Sequence, residues 1–248
     1  MKKLILSILF ILCLSFQASA WVPTAVLSGT SGRSVSTPTY VTYASDFGSW
    51  GTTFTLSITT VAGSNRCFVF FLDSDNDAHT VNSVKFDSNP MTLVASKSGL
   101  GSHKVYMYRY CTTDAFSGSK DFEIIFSGEQ QQHGWGVQID GCNTTDPIED
   151  TDTGETSADP QEITLHASTA TNNCLLITGV VTQEDGINHT VCDSTGQTEF
   201  IDVSHTLNSI VGSWFDLATA GEKDQCIAGV TAAKRQFGIL GAFKPYGS

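Results

Sequence analysis

Beyond the N-terminus, two stretches of the chain stand out as apolar without interruption. The first is Cys67-Phe68-Val69-Phe70-Phe71-Leu72; the second, Cys174-Leu175-Leu176-Ile177, begins 107 positions after the first. An Asn stands two places before each Cys, Asn65 and Asn172. A run of four to six apolar residues behind turn formers predicts a strand buried on both faces. The segments around the first run alternate instead, which predicts strands with one face inward. Thr53–Val61 places Phe54, Leu56 and Ile58 on one face. From Lys104 to Tyr110, Tyr106, Tyr108 and Tyr110 point one way and Val105, Met107 and Arg109 the other. Phe122, Ile124 and Phe126 share a face of the next strand, as do Trp135, Val137 and Ile139 after it. Val84–Phe86 and Met91–Val94 read as short strands joined by Asp87-Ser88-Asn89-Pro90, a turn made by Asp, Asn and Pro chemistry. No stretch carries a helical period.

The layout then repeats. Cys192-Asp193-Ser194 corresponds to Phe86-Asp87-Ser88, Trp214 to Met107, and Phe237-Gly238-Ile239 to Trp135-Gly136-Val137. A recurring order of strands predicts a duplicated architecture. The expected fold is all-β: two related antiparallel sandwich halves of jelly-roll or immunoglobulin-like type, or one larger jelly roll made by their fusion. The expected boundaries are a signal peptide over 1–20, an extended arm over 21–52 and a first half over 53–142. An acidic linker over 143–162 and a second half over 163–248 complete them.

The start of the chain sets its compartment. Met1-Lys2-Lys3, an apolar run from Leu4 to Phe16 and Ala18-Ser19-Ala20 form the pattern of a secretory signal peptide. No later stretch is long and apolar enough to span a membrane. Removing residues 1–20 takes away two lysines and moves the formal charge from −12 to −14. Nucleic acid and anionic lipid surfaces both call for a basic face, which this composition does not supply.

Cys67, Cys111, Cys142, Cys174, Cys192 and Cys226 remain after cleavage, an even number in an exported chain, which predicts disulfides. In an immunoglobulin-like order Cys67 opens the second strand and Cys111 closes the fifth, its antiparallel neighbour. Cys192 and Cys226 lie on the third and sixth strands of the second half, also neighbours, where the first half has Phe86 and Phe122. The expected pairs are Cys67–Cys111, Cys192–Cys226 and, joining the halves, Cys142–Cys174.

Candidate chemistry is sparse. Asp73, Asp75 and Asp77 alternate in a predicted loop and are the residues expected to hold calcium if it binds; no other cofactor is expected. An EF-hand loop is ruled out, since Ala78 and Val84 stand where Gly and Glu belong. Asp140, Asp146, Glu149, Asp150, Asp152 and Glu155 read as a solvated acidic run. The six histidines, His79, His103, His133, His166, His189 and His205, form no metal-site motif, and no Ser lies in G-x-S-x-G. Trp50, Trp135, Trp214 and the tyrosine stripe are the residues able to stack on sugar rings; core packing is the plainer expectation for Trp135 and Trp214.

One resemblance rests on specific residues. The order Asn-x-Cys and apolar run, Val-x-Phe turn, Tyr-x-Tyr strand, then Gly141 to Pro147 and a terminal Ala242-Phe243-Lys244-Pro245 resembles uncharacterised exported bacterial and phage-associated duplicated β-sandwich modules. The resemblance covers roughly 53–245, implies a surface, appendage or binding role, and supplies no catalytic residues. The expected function is accordingly non-catalytic: a secreted or cell-surface structural, adhesive or glycan-binding protein, with glycan or a second copy as partner. A secreted polysaccharide-active enzyme and a phage fibre or decoration protein are the alternatives.

Overall fold

A computed structural model describes residues 36–75, 78–99, 103–115, 117–156, 162–183, 188–192, 196–204, 208–229 and 235–248. The signal-peptide expectation lies outside them. The described residues form strands and turns, with no helix among them.

In the first half, β1 (Thr39–Thr60) and β7 (Gly118–Asp140) are long antiparallel partners from Thr39↔Asp140 to Thr60↔Gly118. Their register shifts twice near Gly48 and Gly51, so the ribbon contributes to two layers. The C-terminal part of β7 pairs with β2 (Arg66–Ser74), which pairs with β6 (Lys104–Thr112) and through it β5 (Thr92–Ser98). The N-terminal part of β7 pairs with β3 (Val81–Phe86), which turns into the two-residue β4 (Asn89–Pro90). Asp87 and Ser88 make that turn with φ of 47° and 69°, the left-handed pair that suits a tight hairpin. Between the two layers Phe54, Leu56, Phe68, Phe70, Phe86, Phe122 and Ile124 form one core.

The second half uses separate strands for the same plan. β10 (Cys174–Thr182) lies between β13 (Ser209–Leu217) and β15 (Gln236–Phe243), with β12 (Thr198–Ser204) and β8 (Ile148–Thr156) at the edges. A smaller sheet covers it in the order β11 (His189–Val191), β14 (Gly221–Gly229), β9 (Glu162–Thr169). Read with β8 and β9 in place of β1, and β14 and β15 in place of β7, the strand order equals that of the first half.

The two large sheets then pack against each other. Cys67, Val69, Phe71, Trp135, Val137 and Ile139 meet Leu175, Ile177, Val181, Phe237 and Ile239 in a central core. The result is four layers, and it explains why both uninterrupted apolar runs are buried at every position. Approach is closest at Gly179, where an added Cβ would lie 2.5 Å from Phe71 and 2.8 Å from Trp135. Those two rings stack 5.2 Å apart against it.

The faces correct the expected repeat. Cys67 and Val69 face the central core, and so do Leu175 and Ile177. An offset of 107 would exchange the faces; an even offset of 108 preserves them.

Three further expectations change. The stretch 143–162 is not merely a linker, because it contains β8. There Glu149, Asp150 and Asp152 accept backbone N–H groups of Ala170, Ser168 and His166 at 2.9, 2.6 and 2.8 Å, so acidic residues stitch one layer to the next. The stretch expected as an extended arm or edge strand up to residue 52 is strand from Thr39 onward, within β1. Among the cysteines, Cys67–Cys111 and Cys192–Cys226 are bonded, with Cα atoms 4.0 and 5.1 Å apart. Cys142 and Cys174 are not; both are free and buried. Cys142 is held beside Asn65 and Pro245 through backbone pairing, while the Cys174 thiol donates to the Thr171 carbonyl at 3.3 Å.

Candidate functional site

The seam between the two large sheets opens at an edge lined with aromatic rings. Tyr40 and Tyr43 come from β1, Phe200 from β12 and Trp214 from β13. Tyr40 stacks on Phe200 at 5.3 Å and on Trp214 at 6.0 Å, with planes 26° and 8° apart. Tyr43 meets Phe200 at 5.7 Å and is 45% exposed. Phe200 and Trp214 are half-buried against the central core. Parity alone would put Tyr40 and Tyr43 on opposite faces, but the register shifts between Tyr40 and Thr42 and turns them to the same side. A second shift between Glu199 and Ile201 brings in Phe200, whose ring occupies the space a Cβ on Gly212 would fill. Burial, and then the neighbouring Tyr43, push the Tyr40 hydroxyl up to about 12, so it is a neutral donor at physiological pH. Asp216 shares the Trp214 face two residues along β13, and burial raises its carboxyl above the usual range. Parallel rings beside hydroxyl and carboxyl groups suit a ligand with apolar faces and polar edges.

At the end of β2 lies a buried polar cluster. Asp73 is 1% exposed, with Oδ2 3.3 Å from His133 Nδ1 and Oδ1 3.6 Å from His103 Nδ1. His103 Nδ1 also lies 3.0 Å from Asp75 Oδ1. Asn208, from the second half, donates its amide to Asp73 Oδ2 at 2.6 Å. Burial works to raise the Asp73 carboxyl, but His103 and His133 outweigh it and hold it below its ordinary value. Burial likewise works to lower His103, and the two aspartates leave it raised. Burial raises Asp75. Two of the three residues expected to hold calcium fall in this cluster. Asp73 is a buried strand residue, Asp75 faces an imidazole, and Asp77 lies outside the described residues. Of their oxygens, Asp73 Oδ2 accepts the Asn208 amide, while Asp73 Oδ1 and Asp75 Oδ1 face the His103 ring without a hydrogen bond.

Among the described residues, Glu162, Cys192 and Cys226 alone have metal-ligand spacing. Cys192 and Cys226 are bonded to each other, so neither offers a thiolate. Of the candidate stacking residues, Trp135 is fully buried and Trp50 is 63% exposed. Tyr106 and Tyr108 are 7% and 8% exposed and belong to the first-half core. Tyr108 also walls a shallow groove of about 310 Å³ with Met91, Leu93 and Lys85. His166 pairs with Asp224 at the surface at 2.7 Å. His189 is held between Asp202 and Thr182 inside the second sandwich.

Tyr40, Tyr43, Phe200, Asp216, Asn208, Thr182 and Asp202 were not singled out by the sequence. Tyr40, Tyr43 and Phe200 gain their meaning from bulges, and the others from strand pairings and loops that set partners far apart in the chain side by side. A cluster of aromatics around Gly212 was the one signal present. Comparison of the chain with family models, characterised proteins and solved structures finds no match.

Proposed function

We propose that the protein is a secreted or cell-surface structural and adhesive module that binds glycan along the Tyr40–Tyr43–Phe200–Trp214 edge. The observation that carries this reading is the stack of Tyr40 on Phe200 and Trp214 at the seam, with the exposed Tyr43 tilted beside it. Sugar rings present apolar C–H faces to aromatic planes and hydroxyls to groups such as Asp216 and Tyr40. The acidic charge, −12 for the whole chain and −14 without residues 1–20, directs the reading toward neutral or cationic glycans. The two disulfides suggest an oxidising, extracellular setting.

Titration of tryptophan fluorescence against a panel of neutral, acidic and amino-sugar polysaccharides tests it. Saturable binding is expected, and Tyr43→Ala should weaken it by about tenfold, equivalent to about 1.4 kcal/mol. Binding by none of the panel, or equal binding by the variant, would overturn the reading.

Self-association is a second reading, favoured by Trp50 on β1 and by Leu93 at 49% exposed on the edge strand β5. Sedimentation velocity separates the two, since a Trp50→Ser variant should dissociate any dimer while leaving glycan binding intact.

A further inference from the structure

The second sandwich contains a hydroxyl, an imidazole and a carboxylate in line. Thr182 Oγ1 lies 2.7 Å from His189 Nε2, and His189 Nδ1 lies 2.9 Å from Asp202 Oδ1. The other oxygen of Asp202 accepts the backbone N–H of His189 at 2.9 Å. A carboxylate at Nδ1 places the proton there, which leaves the Nε2 lone pair aimed at the threonine hydroxyl. This is the arrangement that activates a hydroxyl nucleophile. Yet Thr182 is fully buried and His189 is 4% exposed. No substrate from solution reaches the hydroxyl, so any electrophile it meets belongs to the protein.

One stands on the neighbouring strand. Gln236 is the register partner of Thr182 in the β10–β15 ladder. Leu176 and Val180 on β10, and Leu240 and Ala242 on β15, face the second-half core. Two-residue periodicity continues that face to Thr182 and to Gln236. Directly opposed residues on one face hold their Cβ atoms about 4.5–5.5 Å apart. Gln236 is fully buried, and neither its side-chain oxygen nor its nitrogen has a hydrogen-bond partner. A carboxamide left in this state is costly.

We propose that Thr182 and Gln236 are joined by an intramolecular ester, formed by the chain itself once β15 has docked. Thr182 Oγ1 attacks Gln236 Cδ while its proton passes to His189 Nε2. The tetrahedral adduct collapses by breaking the Cδ–Nε2 bond, and His189 returns the proton to the departing nitrogen. The products are one ester and one ammonia, with no oxidant, metal or cofactor consumed. Asp202 is a positioning residue that holds the tautomer. Proximity replaces the affinity an enzyme needs for a substrate, and burial keeps water from hydrolysing the product. The product is a covalent bond between two strands at the centre of the sheet.

The first half serves as an internal control. At the same ladder position Ser74 faces Gln132, and the Ser74 hydroxyl donates to Gln130 Oε1 at 2.7 Å. The strand corresponding to β11 begins with Val81, so the base is missing and no link is expected there. The buried contact between Thr178 and Gln225 likewise has no imidazole in it.

Intact mass of the secreted protein is the test. Beyond the four hydrogens lost to the two disulfides, the chain is expected to weigh about 17 Da less than its sequence, one ammonia. Peptide mapping should join Thr182 to Gln236, and hydroxylamine should split that pair and leave a hydroxamate at 236. Trypsin is avoided because cleavage after Arg235 leaves Gln236 N-terminal, where cyclisation causes the same loss. Thr182→Val and His189→Gln are expected to restore the full mass, whereas Thr182→Ser keeps the deficit. A wild-type chain of full mass, a link mapped to Thr178–Gln225 or Ser74–Gln132, or a deficit that survives Thr182→Val would each overturn the proposal.

Discussion

His103 is the residue at which pH acts on this fold. Its pKa is raised in the folded protein by Asp73 and Asp75 against the effect of burial. Its share of stability is therefore complete below the unfolded value of about 6.5 and is lost as pH rises through the folded value. Asp73 is shifted the other way, so its share is complete above about 3.9 and is lost as pH falls through its lower folded value. Asp75 is raised by burial, so its share is complete below about 3.9 and is lost as pH rises through its higher folded value. A thermal midpoint that declines as pH rises above about 6.5 is expected, and His103→Gln should flatten that decline. Parallel profiles for the two proteins would show that the His103–Asp73 pair has no such role. None of this was legible in the chain, where the histidines stand alone. Asp73 read as a loop residue because the apolar run stops at Leu72, although the β2 ladder continues to Ser74.

At the scale of the element, β8 is the instructive case. Ile148–Thr156 is acidic and Thr-rich, the pattern of a solvated connection, yet it pairs with β15 from Phe243↔Ile148 to Gln236↔Thr156. Strand propensity does not account for it. Its carboxylates satisfy backbone N–H groups of β9 that the small sheet leaves unpaired. Asp150→Ala and Asp152→Ala are each expected to cost about 1 kcal/mol in urea unfolding, with less lost in the Asn variants, which keep an acceptor. No change in either would mean that water replaces the carboxylates at no cost. β2, β6 and the β3–β4 turn were legible because hydrophobic period and turn chemistry agree there. The same agreement made two cysteine pairs legible: Cys67 and Cys111 are direct ladder partners, and the Cys192 N–H donates to the Cys226 carbonyl. Cys142 and Cys174 belong to no common ladder, so strand order could not pair them.

For the whole molecule, the central core is shared and neither half encloses it alone. Trp135 lies at its middle, stacked on Phe71 and against Gly179 of the other half. Trp135→Ala is expected to cost about 3–5 kcal/mol and to lower both halves together. Circular dichroism and fluorescence should then trace one coincident transition; two separated transitions would mean that each sandwich is self-sufficient. The aromatic edge is a property of this scale as well, since Tyr40 and Trp214 meet only when the two large sheets stack. For that reason the chain read alone placed Trp214 in a core and left Tyr40 without comment.

The position of β15 has a consequence in time. It is the final strand in the chain, Gln236–Phe243, yet it sits between β10 and β8 rather than at an edge. β7 plays the same part for the first half, separated from β1 by the whole of that half's sequence. Neither sheet closes early, because the strand that bridges it emerges last, and loop closure over such separations is slow. A chain that emerges N-terminus first thus stays an open polymer until β15 arrives, with its most apolar stretches exposed to any partner that comes earlier. Its vulnerable interval is that of folding rather than of its finished life.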